Sequence, residues 1–267
     1  MTPLIELKNV SKIYTMGKNI QVLALKDITL DFTMGEFVAV SGPSGSGKTT
    51  LLNLIGLIDV PSQGTIYLDG KKISYNGLGQ LHRLRLHNIG FIFQSFNLIP
   101  VLSAYENVEY PLLLTGLSGT ERKKRVEQVL SEVGLSDLAH HKPRELSGGQ
   151  CQRVAIARAL VNKPKIVLAD EPTANLDSNT AQDILKLMAK LNREENVTFI
   201  FSTHDPKIVQ IARRIIQLRD GQIESIIQPE NSSVTGTTDV STPRTKTASA
   251  SHHQRRGGRK KSSSSKK

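Results

Sequence analysis

The nine residues GPSGSGKTT, Gly42 to Thr50, decide how the rest of the 267-residue chain is read. They fit the pattern G-x-x-x-x-G-K-[ST] at Gly42, Gly47, Lys48 and Thr49, after the apolar run EFVAVSG and before the helical run TTLLNLIGL. Strand, glycine-rich turn and helix in that order make a phosphate cradle. The glycines let backbone amides wrap the α and β phosphates, Lys48 reaches the β and γ oxygens, and Thr49 offers a hydroxyl to Mg²⁺. Pro43, Ser44, Gly45, Ser46 and Thr50 share that loop.

Outward from the cradle, KIVLAD and VTFIFST read as further buried strands, because they are short continuous apolar runs. Between them lie helical patterns: Val126, Val129, Leu130 and Val133, then Ile184, Leu187, Met188 and Leu191, both spaced i, i+3, i+4, i+7. Alternating strands and helices predict an α/β fold with a parallel sheet. IELKNVSKIY and LKDITLDF predict a small antiparallel sheet beside it. The stretch from about 95 to 143 is helical without core strands and reads as an inserted helical subdomain. The whole makes one globular unit over residues 1–228.

KIVLADEPT ends its strand in two carboxylates at the edge where parallel sheets hold ligands. Asp170 suits a Mg²⁺ coordination sphere, and Glu171 suits a base that polarises water toward the γ-phosphorus. Downstream, LSGGQCQRVAIARAL (146–160) opens with Ser147, Gly148 and Gly149 ahead of an apolar helix, which leaves amides free to receive an anion. One chain thus carries two phosphate binders about a hundred residues apart. Taken singly, Tyr14, Gln94 and His204 are ordinary surface or packing residues. Their order along the chain gives them weight.

Composition sets the outer limits. With 38% hydrophobic and 22% charged residues, the chain belongs among soluble globular proteins, and no apolar run reaches the eighteen or so residues of a membrane span. Met1 to Val10 carries Glu6 and Lys8 where a secretory signal needs an apolar core, so a cytoplasmic location is expected. The lone Cys151 excludes an internal disulfide and a cysteine-clustered metal site. Of the formal charge of +11, residues 229–267 supply most, with nine Lys or Arg against Glu230 and Asp239. That segment is rich in Ser, Thr, Lys and Arg and is expected to be a disordered basic tail able to touch anionic lipid.

The ordered set Gly42–Thr49, Gln94, LSGGQ at 146–150, Asp170 and Glu171, NLD at 175–177 and His204 resembles the ATP-binding subunits of ABC transporters over about residues 4–227. LLNLIGLIDVPSQGTIYLDG, FIFQSFNLIPVLSAYENVEYPLLLTG and CQRVAIARALVNKPKIVLADEPTANLD look like the branch of macrolide-export, lipoprotein-release and cell-division ATPases. Cys151 departs from that branch, where glutamine is usual. The resemblance implies a P-loop ATPase that uses ATP and Mg²⁺, with Tyr14 stacking on adenine, Gln94 at the Mg²⁺ or attacking water, and His204 orienting Glu171. It implies a head-to-tail homodimer, or a heterodimer with a related subunit, in which Ser147, Gly148, Gly149, Gln150 and Asp177 face the partner's nucleotide. It also implies integral-membrane permease subunits and a peripheral place on the inner membrane face. The rival is a soluble ABC ATPase acting on nucleic acid or ribosomes; the coiled coil, zinc cysteines or tandem cassettes of such proteins are not found in this sequence.

Overall fold

Side-chain alternation along each central strand feeds two separate cores, and this is visible once the elements are placed. The computed structural model describes residues 3–17, 20–75 and 78–229. In chain order these form β1 (Ile5–Met16), β2 (Ile20–Phe32), β3 (Phe37–Ser41), α1 (Lys48–Ile55), β4 (Gln63–Leu68), β5 (Lys71–Lys72), α2 (Leu78–Asn88), β6 (Ile89–Ile92), α3 (Ala104–Glu109), α4 (Gly119–Glu132) and α5 (Gly148–Leu160). Then come β7 (Ile166–Asp170), α6 (Ser178–Glu195), β8 (Thr198–Thr203), α7 (Pro206–Ile211), β9 (Arg214–Arg219) and β10 (Gln222–Ile227). The expected basic tail lies outside the described residues, except Pro229.

The main sheet runs β10-β9-β3-β8-β7-β6. Strands β9, β3, β8, β7 and β6 pair in parallel, and β10 closes the edge antiparallel to β9. A second sheet, β2-β1-β4-β5, is antiparallel throughout. Period-2 alternation then sorts the residues. Phe37 and Ala39 of β3, Val167 and Ala169 of β7, and Phe199 and Phe201 of β8 enter one core with Val154 and Ile156 of α5 and Ile184 and Met188 of α6. Val38, Val40, Leu168 and Ile200 point the other way, into a core with Leu51, Leu54 and Ile55 of α1 and with Ile5, Leu7, Ile28 and Leu30 of the antiparallel sheet. The helix that follows the phosphate cradle is therefore packed from both sheets.

Between β6 and α5 the chain forms α3, α4 and 3₁₀ turns at Tyr110–Leu114, Ser136–Leu138 and Pro143–Glu145. Helices α3 and α4 start at capping boxes, Ser103 with Glu106 and Ser118 with Glu121, which satisfy first-turn amides. The i, i+3, i+4, i+7 face of α4 is buried and shares the core of α5. Asn107 pins the loop before α3. Its side chain is fully buried, accepts from the Ile99 amide at 2.7 Å, and donates to the carbonyls of Ile99, Leu102 and Ser103 at 3.1, 3.1 and 2.9 Å.

Replacing that side chain strands the Ile99 amide and the Leu102 carbonyl, while the Ile99 and Ser103 carbonyls keep backbone donors, so Asn107→Ala should cost about 2 to 4 kcal/mol. Chemical denaturation of both proteins measures it. A loss below about 1 kcal/mol would show that loop 99–103 is held by other means.

Candidate functional site

At the end of β3 the chain turns through Gly42 to Gly47 and enters α1. A Cβ at Gly42 would collide with the Leu218 carbonyl, and Gly42 has φ +153°; a Cβ at Gly47, with φ +101°, would stand 2.6 Å from the Ala24 carbonyl. Only glycine fits at either position. Lys48, the first residue of α1, is buried, and its ammonium donates to the Gly42 and Pro43 carbonyls at 2.8 and 2.9 Å. Across the cradle, the Thr49 hydroxyl lies 3.2 Å from Asp170 Oδ2.

Asp170 ends β7, and the next residue, Glu171, sits at φ +46°, a left-handed conformation costly for a non-glycine residue. Its amide donates to the Ser202 carbonyl at 2.9 Å. Its Oε1 accepts from His204 Nδ1 at 2.7 Å, while the Thr203 hydroxyl stands 3.4 Å from Oε2. Because an ionised carboxylate only accepts, this contact assigns the proton to His204 Nδ1. The Glu171 side chain is 15% exposed and that of His204 is 74% exposed. A sheltered carboxylate thus meets an imidazole that reaches out of the protein.

Gly42, Pro43, Ser44, Gly45, Gly47, Lys48, Thr49, Thr50, Gln94, Asp170, Glu171 and His204 line one cavity of about 690 Å³. Sequence reading missed four further walls: Val22, Leu23, Ala24 and Ser202. Val22 and Leu23 are exposed apolar residues on β2, a strand otherwise packed on its inner face, and that exposure is the signal that marks them. Ser46 does not line the cavity. Its hydroxyl and that of Ser202 are buried without a hydrogen-bond partner among the described residues.

Tyr14 stands beside this cavity on β1, paired with Val22 of β2. Its hydroxyl donates to Asp59 Oδ2 at 2.7 Å, Lys12 Nζ reaches Asp59 Oδ1 at 2.6 Å, and the same ammonium lies 4.8 Å from the Tyr14 ring centroid. Burial pushes the Tyr14 phenol up, and its bond to Asp59 adds to the rise. At Asp59, burial acts upward but is outweighed by hydrogen bonds from Lys12 and Tyr14, which hold the carboxyl below its ordinary range.

The LSGGQ segment lies apart from the cavity. Ser147 caps α5 in a capping box: its hydroxyl accepts from the Gln150 amide at 3.3 Å, and Gln150 Oε1 accepts from the Ser147 amide at 2.8 Å. Two of the local amides are thereby engaged, and the glycine amides of the first turn remain for a ligand. Asp177 caps the neighbouring α6, accepting from the Asn179 and Thr180 amides at 3.0 and 3.1 Å. Gly149 packs so closely on Thr180 that a Cβ would not fit, which brings the two helix starts together. Cys151 is buried one turn into α5 with its thiol pushed up by burial, which is the behaviour of a filler.

The cavity residues fit a nucleoside triphosphate with Mg²⁺: glycine backbone that no side chain could replace, a cation without a carboxylate partner among the described residues, a Thr–Asp oxygen pair, and orphaned hydroxyls at its margin. The family model described as ABC transporter matches residues 25–174. An uncharacterized ABC transporter ATP-binding protein of Methanocaldococcus jannaschii, MJ0796, is 50% identical over 225 residues, covering 83% of this chain and 95% of that protein. The macrolide export ATP-binding/permease protein MacB of Wolinella succinogenes is 46% identical over 233 residues, covering 86% of this chain but 36% of its own length. Among solved structures, the dimeric post-hydrolysis state of MJ0796 bound to ADP and Pi aligns with a TM-score of 0.78 at 47% identity, over 85% of this chain and 99% of that one.

The Asp59 ion pair carries a pH signature. A carboxyl depressed by folding contributes stability above its unfolded pKa of about 3.9, and that contribution is lost as pH falls through the folded value. Asp59→Asn should therefore cost about 1 kcal/mol at pH 7, and the gap to the parent protein should narrow below about pH 4. Urea unfolding at the two pH values tests this; an equal gap at both would exclude the linkage.

Proposed function

The chain belongs to the ABC transporter family and is an ATPase that works on ATP with Mg²⁺, and on that premise we propose that two copies close around two nucleotides and drive separate membrane permease subunits. One observation carries this reading. The cavity around Lys48 and Glu171 and the helix starts at Ser147 and Asp177 are both formed, yet in one chain the second does not line the first. A helix N-terminus built for an anion and held away from its own phosphate cradle serves the cradle of another copy. The M. jannaschii relative, solved as a dimer, supports the pairing.

Within each cavity the residues divide the work. Backbone of Gly42 to Gly47 and the Lys48 ammonium hold the phosphates; Thr49 and Asp170 hold Mg²⁺, with Gln94 on the same wall. The metal supplies charge neutralisation at the phosphate oxygens. Glu171 takes the proton of the attacking water, since its Oε2 has only the long contact from Thr203, while His204 fixes Oε1 and so orients the carboxylate. Tyr14, at the cavity margin opposite Val22 in the strand pair, supplies the flat surface for the base, and Val22 and Leu23 supply the apolar wall.

No helix among the described residues is long and apolar enough to cross a membrane, and the proposed membrane work falls to permease subunits. A groove of about 660 Å³ suits a permease helix. Its floor is Leu86, Ile89, Phe91 and Phe93, and Leu114, which is 72% exposed, forms its lip beside exposed Tyr110 and Leu113. His82, Arg83, Arg85 and Arg158 line it and no carboxylate does, which favours an acidic or carbonyl-terminated segment. Within the branch, the work driven is export, lipoprotein release or mechanical transmission.

Leu114→Asp should reduce recovery of the chain with its permease or with membranes at least fivefold, and leave the ATPase rate of the isolated chain within about twofold. Unchanged recovery would remove the groove from the docking surface.

Mixed dimers test the shared site. With Glu171→Gln in both chains to slow hydrolysis, one chain carries Lys48→Ala and the other Ser147→Arg. If Ser147 acts on the partner's nucleotide, one site collects both defects and the other stays intact, so about one ATP is retained per dimer. Placing both substitutions in a single chain should leave neither site complete. ATP retained only in this second arrangement would return the helix to its own phosphate cradle.

A further inference from the structure

Gln152 is fully buried in the second turn of α5, among apolar neighbours, yet it carries an amide. Its Nε2 donates to the Pro172 carbonyl at 2.8 Å, and its Oε1 is buried with no hydrogen-bond partner among the described residues. The Pro172 carbonyl can only accept, so the amide is oriented with its NH₂ group toward it. An apolar side chain of the same length would fill the space and remove the orphaned Oε1, but it would leave the Pro172 carbonyl without its donor. The amide is therefore poorly explained by packing. What it contacts explains it better.

Pro172 follows Glu171, and this dipeptide is strained twice. Glu171 is left-handed at φ +46°, and a residue before proline is restricted further because the proline ring crowds its backbone. Strain of this kind persists only where surrounding bonds over-determine it. On one side the Glu171 amide is tied to the Ser202 carbonyl at 2.9 Å, and the Ala174 amide closes a turn onto the Glu171 carbonyl at 3.2 Å. Beyond the proline, the Thr173 hydroxyl donates to Asp205 Oδ2 at 3.0 Å. The Pro172 carbonyl is fixed by Gln152, from a different helix.

We propose that Gln152 is a positioning residue for Glu171, and that through it α5 sets the aim of the carboxylate. The inference rests on the role given to Glu171 above. Helix α5 begins at the Ser147 cap and reaches Gln152 about 7 Å further on, at a rise of 1.5 Å per residue. A rigid helix moved at its cap moves the Gln152 amide with it, and so moves the peptide next to the catalytic carboxylate. The helix start that meets one nucleotide is thereby tied to the base acting on the other. Each site senses its neighbour through one hydrogen bond.

A double-mutant cycle on the full chain tests this. Gln152→Met keeps length and volume and removes the donor; kcat should fall about tenfold, the worth of one buried hydrogen bond, with KM for ATP within twofold. The thermal midpoint should change by no more than a few degrees, because the orphaned Oε1 is exchanged for an unpaired Pro172 carbonyl. On the Glu171→Gln background the same substitution should cost less than twofold, because residues acting as a unit are not additive. Gln152→Leu should behave alike. Equal tenfold losses on both backgrounds would overturn the positioning role while leaving Glu171 as the base. Turnover that survives Glu171→Gln alone would overturn both readings. A loss of ATP affinity, or a fall of the thermal midpoint by more than about 10 °C in both Gln152 variants, would make Gln152 a packing residue and overturn the proposal.

Discussion

Strand β8 is hydrogen-bonded to β3 on one side and β7 on the other, with Thr203 beside Ser41 and Ser202 beside Asp170. All three strands run the same way, so their carboxyl ends open at one edge. The phosphate loop leaves after Ser41, Glu171 follows Asp170, and His204 follows Thr203. The Glu171 amide on the Ser202 carbonyl carries the ladder past the end of β7. A slip of one residue would turn Asp170 away from Thr49 and toward the aromatic core of Phe199 and Phe201, which forbids it by burying a carboxylate. The phenylalanine packing on one face of the sheet thus guards the Thr49–Asp170 pair, the proposed metal site, on the other.

What the sequence discloses follows from range. The phosphate loop, the paired carboxylates and the capped start of α5 are contiguous motifs whose local geometry is fixed by glycine freedom, strand ends and capping, so they are legible residue by residue. The α/β class is legible because each strand or helix repeats its own period. The residues that escape are those defined by a distant partner. Val22 and Leu23 become cavity walls only when β2 comes alongside the phosphate loop. Lys12 and Asp59 frame Tyr14 across about 45 residues, and no local pattern predicts that meeting. Gln152 reads as one more polar residue beside the LSGGQ motif until the fold sets it under Pro172.

Helix α5 shows how long-range contacts convert a motif into a device. Its start is capped by Ser147, its second turn holds the Pro172 carbonyl through Gln152, and its last turn sends Arg158 to the carbonyls of Phe96 and Asn97, with Phe96 2.7 Å away. Phe96 and Asn97 are both left-handed, at φ +59° and +49°, separated from Gln94 by one residue, and the Asn175 side-chain Nδ2 donates to the Gln94 carbonyl at 2.9 Å. One rigid helix therefore touches the strained segment beside each of two proposed site residues, Glu171 and Gln94. Strain held by a helix is strain that a shift of that helix can release.

The choice of counter-groups for buried Lys48 and half-buried Arg158 follows the same logic. Neither Lys48 nor Arg158 has a carboxylate partner among the described residues; each is held by peptide carbonyls, and burial pulls the Arg158 guanidinium below its ordinary pKa. A carboxylate beside either would satisfy it fully. It would also cancel the charge, and an arriving phosphate or acidic segment would then have to break an ion pair before forming its own. Neutral dipoles stabilise a cation less completely, and in doing so they leave its field available. That residual field suits the cradle to an anion and suits the groove beside β6 to the acidic segment proposed for it. It is retained at a cost in stability that the two cores, one on each face of the sheet, are large enough to absorb.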